Sequence, residues 1–185
     1  IIAQLEGDFF FFIKLNGTCS VITVSPMGEL YFHTRHLENH KAWAPQKDKL
    51  KSLSSLRKGW NVFVSELMHS KGNGIRDVNY IHDVIVADGK HLIGKNSLER
   101  QNILLDIFPN NEDQGDISHT VIDEYTWLAK NHFSKFNDLF DSLDKPEFEG
   151  LVFKPINEKL KLCINKTANA SQQLKSRKTH NNYSF

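Results

Sequence analysis

The stretch Phe9-Phe10-Phe11-Phe12-Ile13-Lys14-Leu15-Asn16-Gly17 decides how the front of this chain folds. Four aromatic residues and Ile13 form an apolar run that Asp8 and Lys14 bound. The run is far too short to span a bilayer, and it lacks the basic flank and small-residue cleavage site of a signal peptide. The pattern predicts a buried strand that leads into a loop carrying Lys14.

The bulk composition indicates one intracellular globular domain of 185 residues. Thirteen Phe residues predict an aromatic-rich core, and the formal net charge of +1 gives no global signal for nucleic-acid binding. From Lys154 onward, however, cations face a single acid, Glu158. Such a segment suits a polyphosphate or a nucleic-acid backbone, although a solvated tail has the same composition. Cys19 and Cys163 are too few for a metal cluster and fit reduced intracellular thiols.

Short strands with helical inserts predict an α+β fold, in which helices pack on the faces of antiparallel sheets. The predicted strands cover 9–13, 19–24, 29–33, 61–68, 79–87, 148–154, 159–164 and 172–178. The predicted helices cover 47–57, 97–108 with Ser97 as N-cap, and 123–143 as one long helix or two.

Lys14 is the first candidate for chemistry. A lysine at the end of an apolar strand can be a surface residue that extends its ammonium into water. To act as a nucleophile it must lose a proton, and nearby cations or partial desolvation would help by lowering its pKa. Gly17 would let the turn approach a nucleotide closely, where a Cβ atom would obstruct it.

The hexapeptide Glu149-Gly150-Leu151-Val152-Phe153-Lys154 is the second candidate. Strict alternation along a strand places Glu149 and Lys154 on opposite faces, unless a bulge or twist at Gly150 rotates one of them. A carboxylate at Glu149 suits Mg²⁺. A charge pair on an edge strand would have the same sequence pattern.

Four further charged residues complete the candidate set. Lys175 and Arg177 alternate correctly for one strand face, from which they could hold a phosphate, although a solvated basic strand is an alternative. Glu66 lies within an otherwise apolar strand, where a charge requires a salt bridge or a ligand. Arg35 is a candidate partner for a phosphate or a ribose.

In this order and spacing, the segments resemble the motifs of the covalent nucleotidyltransferases, the superfamily of ATP-dependent ligases and mRNA-capping enzymes. Lys14 to Gly17, KLNG, is similar to the nucleophile motif KxDG. The other matching segments are Gly28 to Arg35, Phe63 to Leu67, Tyr80 to Ile85 with the following Asp88-Gly89 and Leu98 to Arg100, Glu149 to Lys154, and Leu174 to Arg177.

The resemblance implies that residues 1–185 form one ATP-grasp-like nucleotidyltransferase (adenylation) domain, with ATP and Mg²⁺ as cofactors. It implies that Lys14 is adenylylated and that Glu149 binds metal. The residues it assigns to nucleotide binding are Arg35, Glu66, His82, Lys154, Lys175 and Arg177.

Three residues depart from the family pattern. Asn16 replaces the usual Asp, His82 stands where an aromatic ring normally stacks on the purine, and Phe12 stands where DNA ligases commonly have Glu. The chain also stops just past the last motif of the catalytic domain. We therefore expect the C-terminal OB-fold domain to be absent, so that the chain is either a minimal or truncated ligase or is completed by a separate OB-fold domain or subunit.

The resemblance implies the core of an ATP-dependent polynucleotide ligase, which forms a lysyl-AMP intermediate and seals nicked or broken nucleic acid, DNA in preference to RNA. One alternative is an mRNA-capping guanylyltransferase that uses GTP. Another is a non-catalytic nucleotide- or nucleic-acid-binding module that retains the fold. The expected location is intracellular, cytoplasmic or nuclear, with no membrane partner, and a phage or viral origin stays open.

Overall fold

A computed structural model describes residues 7–36, 38–40, 49–69, 74–162 and 173–178. This part of the chain has the predicted α+β fold. Its strands are β1 (Phe9–Leu15), β2 (Thr18–Val24), β3 (Leu30–Thr34), β4 (Asn61–Met68), β5 (Val78–Ala87), β6 (Lys90–His91), β7 (His119–Asp123), β8 (Thr126–Ala129), β9 (Phe148–Pro155) and β10 (Leu174–Arg177). Its helices are α1 (Lys51–Ser54), α2 (Ser97–Ile107) and α3 (Phe136–Asp141). None of these helices is long and apolar enough to cross a membrane.

The strands form two sheets. A three-stranded sheet has the order β1-β9-β10, and a seven-stranded sheet has the order β3-β2-β4-β5-β8-β7 with β6 paired to β5. All strand pairs are antiparallel except β5 with β8. The first and last motif segments of the sequence therefore meet in one small sheet, although more than 130 residues separate Lys14 from Glu149 along the chain.

The core is rich in phenylalanine, as predicted. Phe10, Phe11 and Phe12 are at most 4 % exposed, so β1 is buried on both of its faces. They pack with residues of β9 and α3 into one hydrophobic cluster. A second cluster lies between the seven-stranded sheet and the helices α1 and α2, with Phe63 near its centre.

The prediction of one long helix or two at 123–143 is wrong for the first part of the segment, and only the short α3 is helical. This segment contains the end of β7, all of β8 and, after Lys135 in the left-handed conformation, the six-residue helix α3. Its aromatic residues have a spacing that also suits two short strands and a turn, and short apolar runs do not distinguish the two periods.

The helix predicted at 97–108 is confirmed, but its N-cap is Asn96 rather than Ser97. The Asn96 side chain accepts from the backbone of Glu99, and the Glu99 side chain accepts in return from the backbone of Asn96. This capping box satisfies two amide groups of the first turn.

Two other predicted segments are shorter than expected. The helix at 47–57 is reduced to α1 in its described part, and residues 47–48 lie outside the described residues. The strand at 159–164 is reduced to an isolated bridge between Lys159 and Asn96 in its described part, which ends at 162.

Candidate functional site

A cavity of about 400 Å³ lies between the two sheets. Both sheets, α2 and the segment 158–161 contribute side chains to its wall. The lining residues are Phe12, Lys14, Leu15, Cys19, Val64, Glu66, Tyr80, His82, Asp83, Ile85, Arg100, Val152, Glu158, Lys159, Leu160, Lys161, Gln173 and Lys175. Its volume is in the range of small-molecule and cofactor sites.

Lys14, near the end of β1, brings an amine to this cavity. Its Nζ atom donates a hydrogen bond to the Glu149 carboxylate, and its side chain remains 16 % exposed. Burial lowers the pKa of Lys14, and the charges of Arg177 and Lys175 lower it further, while Glu66 opposes them. A larger fraction of Lys14 is therefore neutral at a given pH than of an ordinary surface lysine.

A β-bulge brings Glu149 to Lys14. In the pairing of β1 with β9, Lys14 lies opposite Gly150 and Leu15 opposite Phe148, so Glu149 is the extra residue. The alternation that would have separated Glu149 from the cavity side is broken at this point. The sequence pattern does not tell on which face of the strand Glu149 lies, and the register of β1 with β9 decides it.

Gly150 makes the bulge possible. Its φ angle is +145°, a conformation that side chains rarely adopt. A Cβ atom there would lie 2.0 Å from the carbonyl oxygen of Ser176 in β10. Glycine at this position therefore lets β10 approach and brings Lys175 and Arg177 to the site.

A second bulge, in β5, turns two adjacent side chains toward the cavity. Val64 pairs with Asp83 and Ser65 pairs with Ile81, which leaves His82 as the extra residue. The His82 ring stacks on Phe12 with 5.2 Å between ring centroids and 18° between planes. Burial, helped by the charge of Lys154, lowers the pKa of His82 to about 3, so the ring is neutral at pH 7.

A buried ion network lies beside His82. Asp83 accepts from Lys154 Nζ at 3.0 Å and from the Nε and Nη2 atoms of Arg100 at 3.0 and 3.1 Å. Burial by itself raises the pKa of Asp83, but Lys154 and Arg100 outweigh it and hold that pKa well below its usual range. These contacts tie Lys154, Asp83 and Arg100 together in one buried network.

The similarity of the chain to known proteins lies in its fold and not in its sequence. No protein-family model matches it, and neither does any curated protein. Solved structures of DNA ligases do match. The ligase domain of M. tuberculosis LigD aligns with a TM-score of 0.64 at 18 % identity, covering 95 % of this chain and 55 % of that chain.

The chain has the fold of a DNA ligase nucleotidyltransferase domain. Mycobacterial DNA ligase D, solved as a complex with ATP and MES, aligns with a TM-score of 0.60 at 17 % identity, over 94 % of this chain and 56 % of that one. A Lig E DNA ligase aligns with a TM-score of 0.56 at 10 % identity, over 92 % and 62 %. The chain thus spans about half the length of the first two ligase structures.

On this ligase fold, most of the residues predicted from sequence gather at the cavity. Lys14, Glu66, His82 and Lys175 line it. Glu149 contacts Lys14. Their roles toward a nucleotide stay predictions.

Three predicted residues lie further from the open space. Arg177 faces Gly150 in the register of β10 with β9, and its charge acts on Lys14. Lys154 is only 1 % exposed and is held by Asp83. Arg35 is exposed after β3, where its Nε atom donates to His36, and its charge acts on Cys19.

The structure also adds residues that the sequence had not singled out. Asp83 and Arg100 belong to matching motif segments, but only the fold shows that they pair. Lys159 and Lys161 come from the basic C-terminal segment and line the cavity. Neither forms a salt bridge within the residues that the structure describes.

Gly17 has a contact different from the one expected for it. A Cβ atom at this position would lie 2.6 Å from the Leu67 carbonyl oxygen and 2.7 Å from Glu66 Cγ. The close neighbour of Gly17 is therefore β4, and glycine there lets the Lys14 loop pack beside the strand that carries Glu66.

Proposed function

We propose that the chain is the adenylation core of an ATP-dependent polynucleotide ligase, with DNA favoured over RNA as the substrate. The observation that carries this proposal is the amine of Lys14 at the cavity, with a lowered pKa and with Glu149, Glu66 and Lys175 around it. The fold shared with DNA ligase domains supports it.

The first chemical step would start from the neutral form of Lys14. Its Nζ atom attacks the α-phosphorus of ATP and forms a P–N bond, while the bond from that phosphorus to the bridging oxygen breaks. Pyrophosphate leaves with the electron pair, and the one proton that the neutral amine loses passes to water. Positioning and charge stabilisation, rather than further covalent chemistry, are what the protein must supply.

In the next steps an oxygen of a 5′-phosphate on the polynucleotide attacks the same phosphorus, breaks the P–N bond and restores Lys14. A 3′-hydroxyl then attacks the 5′-phosphorus and releases AMP, which seals the strand. Lys159, Lys161 and Lys175 border the cavity and would attract both polyanions.

The residues present fit Mg²⁺ as an ion shared with the substrate. Within the described residues, no group of three His, Cys, Asp or Glu side chains is gathered that could hold a metal by itself. Mg²⁺ commonly binds through one or two carboxylates together with phosphate oxygens and water. Glu149 beside Lys14, and Glu66 in the same wall, would supply these carboxylates, and the bound ion would neutralise phosphate charge.

We propose that the chain supplies the adenylation step and that sealing needs a further partner. Sealing would then involve an OB-fold domain or subunit as a partner, along with nicked or broken nucleic acid. The same proposal assigns Arg35 and Arg177 to nucleotide binding and places the protein inside the cell.

The deciding experiment is the intact mass of the protein after incubation with Mg²⁺ and either ATP or GTP. We expect a gain of one AMP that peptide mapping places on Lys14 and that Lys14→Ala removes. Lys90→Ala, in the exposed β6, is the matched control and should label like the wild type.

A gain of one GMP instead would identify a capping-type guanylyltransferase. If neither nucleotide forms an adduct, the protein should be given a pre-adenylylated nicked DNA. Sealing of that DNA would identify a ligase core that lacks the first step in isolation. Nucleotide binding that Lys14→Ala leaves unchanged, without sealing, would identify a binding module.

A further inference from the structure

The backbone carbonyl of His82 is held by two side chains. Lys154 Nζ donates to it at 3.0 Å, and Gln101 Nε2 donates to it at 2.8 Å. Gln101 is itself fixed, since its Oε1 atom accepts from Asn131 at 2.9 Å. A bulged residue does not have regular ladder bonds, so these two donors hold the chain at the point where it departs from the strand.

The Lys154 ammonium group is already bound by groups of the protein. It is 1 % exposed, and its ammonium lies 3.0 Å from the Asp83 carboxylate and 5.3 Å from the centroid of the Phe12 ring. To reach a phosphate in the cavity, it would have to give up the bonds to Asp83 and to the His82 carbonyl. Leaving Asp83 in a buried wall with one cation fewer would be costly.

The His82 ring is the group that these contacts orient. Its side chain lines the cavity, while Phe12 covers one face of the ring. The ring is neutral, and a neutral imidazole presents a planar π surface on which a base can stack.

We propose that Lys154 and Gln101 are positioning residues that lock the His82 bulge, so that the His82 ring forms a fixed platform for the base of the nucleotide. This inference rests on the proposed function, since it concerns how the same cavity holds its nucleotide. It gives Lys154 a role different from the phosphate contact that the motif resemblance implies.

The test compares three ligands that separate the base from the phosphates: α,β-methylene-ATP, adenosine and inorganic tripolyphosphate. In Lys154→Met, we expect affinity for adenosine and for the ATP analogue to fall about tenfold, because the base loses a fixed aromatic ring to stack on. Affinity for tripolyphosphate should not change. NMR should also show a higher pKa for His82 in this variant.

Two further variants keep the test decisive. Gln101→Leu leaves every ion pair in place and should show the same ligand pattern with a smaller effect, about threefold. It answers the question even if Lys154→Met does not fold. Lys175→Met is the opposite control, expected to weaken tripolyphosphate and the ATP analogue while adenosine binding is unchanged.

Weaker tripolyphosphate binding with unchanged adenosine binding in Lys154→Met would overturn the positioning role and restore a phosphate contact. Unchanged binding of all three ligands in both Lys154→Met and Gln101→Leu would also overturn it. If the wild-type protein bound none of the three ligands, the proposed function itself would fail, which is a distinct result.

Discussion

Lys14 and Lys154 belong to the same sheet and each pairs with a carboxylate, but they differ in exposure to the cavity and in the number of groups they bind. Lys14 borders the cavity, 16 % exposed, and contacts Glu149. Lys154 is 1 % exposed, contacts Asp83 and also donates to the His82 carbonyl. Burial lowers the pKa of both lysines, so the direction of the shift does not distinguish them.

The difference lies in access and in the number of bonds. Lys154 is enclosed behind the wall of the cavity: its partner Asp83 and the neighbouring Arg100 line the open space, and Lys154 does not. Lys14 can exchange its carboxylate partner for a phosphate because it already faces open space. On the proposed function, access to the cavity is therefore what would make Lys14, and not Lys154, the nucleophile.

The largest expected effects come from substituting the two lysines: one substitution should remove activity and the other should remove stability. Lys14→Ala should abolish the AMP adduct and lower the free energy of unfolding by less than Lys154→Ala does, because the Lys14 side chain borders the cavity whereas Lys154 is fully buried. Lys154→Ala should lower the free energy of unfolding by about 3 kcal/mol, because it breaks a buried pair. Urea unfolding and intact mass measure the two quantities.

Equal losses of stability in the two variants would contradict the predicted difference between Lys14 and Lys154. A Lys154→Ala protein that is as stable as the wild type would also contradict it.

A second prediction concerns the bulge that brings Glu149 to Lys14. Gly150→Ala should lower the free energy of unfolding by about 3 kcal/mol, because it adds both a strained φ and a clash with β10. It should also suppress the adduct, because β10 carries Lys175.

The matched control is Gly94→Ala. Gly94 has a positive φ of +86°, but a Cβ atom added to it would have no neighbour within 4 Å, so only the backbone cost of about 1 kcal/mol is expected. Chemical denaturation of both variants measures the difference. Equal losses would mean that the approach of β10 does not depend on Gly150.

The smallest effect tests how the surroundings tune Lys14. Glu66 raises the pKa of Lys14, whereas Lys175 lowers it. Glu66→Gln should therefore lower that pKa and Lys175→Gln should raise it. The pH dependence of Lys14 acetylation by acetic anhydride, followed by mass spectrometry without nucleotide, measures both shifts.

The wild-type adduct should in turn form faster as the pH rises from neutral to mildly alkaline, since the neutral fraction of Lys14 grows. Shifts of the two variants in the same direction would show that these charges do not act on Lys14 as the geometry indicates.

Regular segments of the fold could be predicted from the sequence because their period is local. The strand at Asn61–Met68 has the predicted bounds, and the helix at Ser97–Ile107 differs by one residue at its end. The strand β8 within 123–143 could not, because a short apolar run fits a helix and a strand equally well. Pairing of β8 with the distant β5 decides in favour of strands.

By itself, the sequence determined the α+β class, the aromatic core, and the order of the segments that carry Lys14, Glu149 and Lys175. These properties follow from composition, local periodicity and motif spacing, which are all read along one chain. Only the tertiary structure decided that Glu149 turns toward Lys14 and that His82 and Asp83 face the same cavity. Each of these depends on one extra residue in a strand, and a bulge exists only relative to the register of the neighbouring strand.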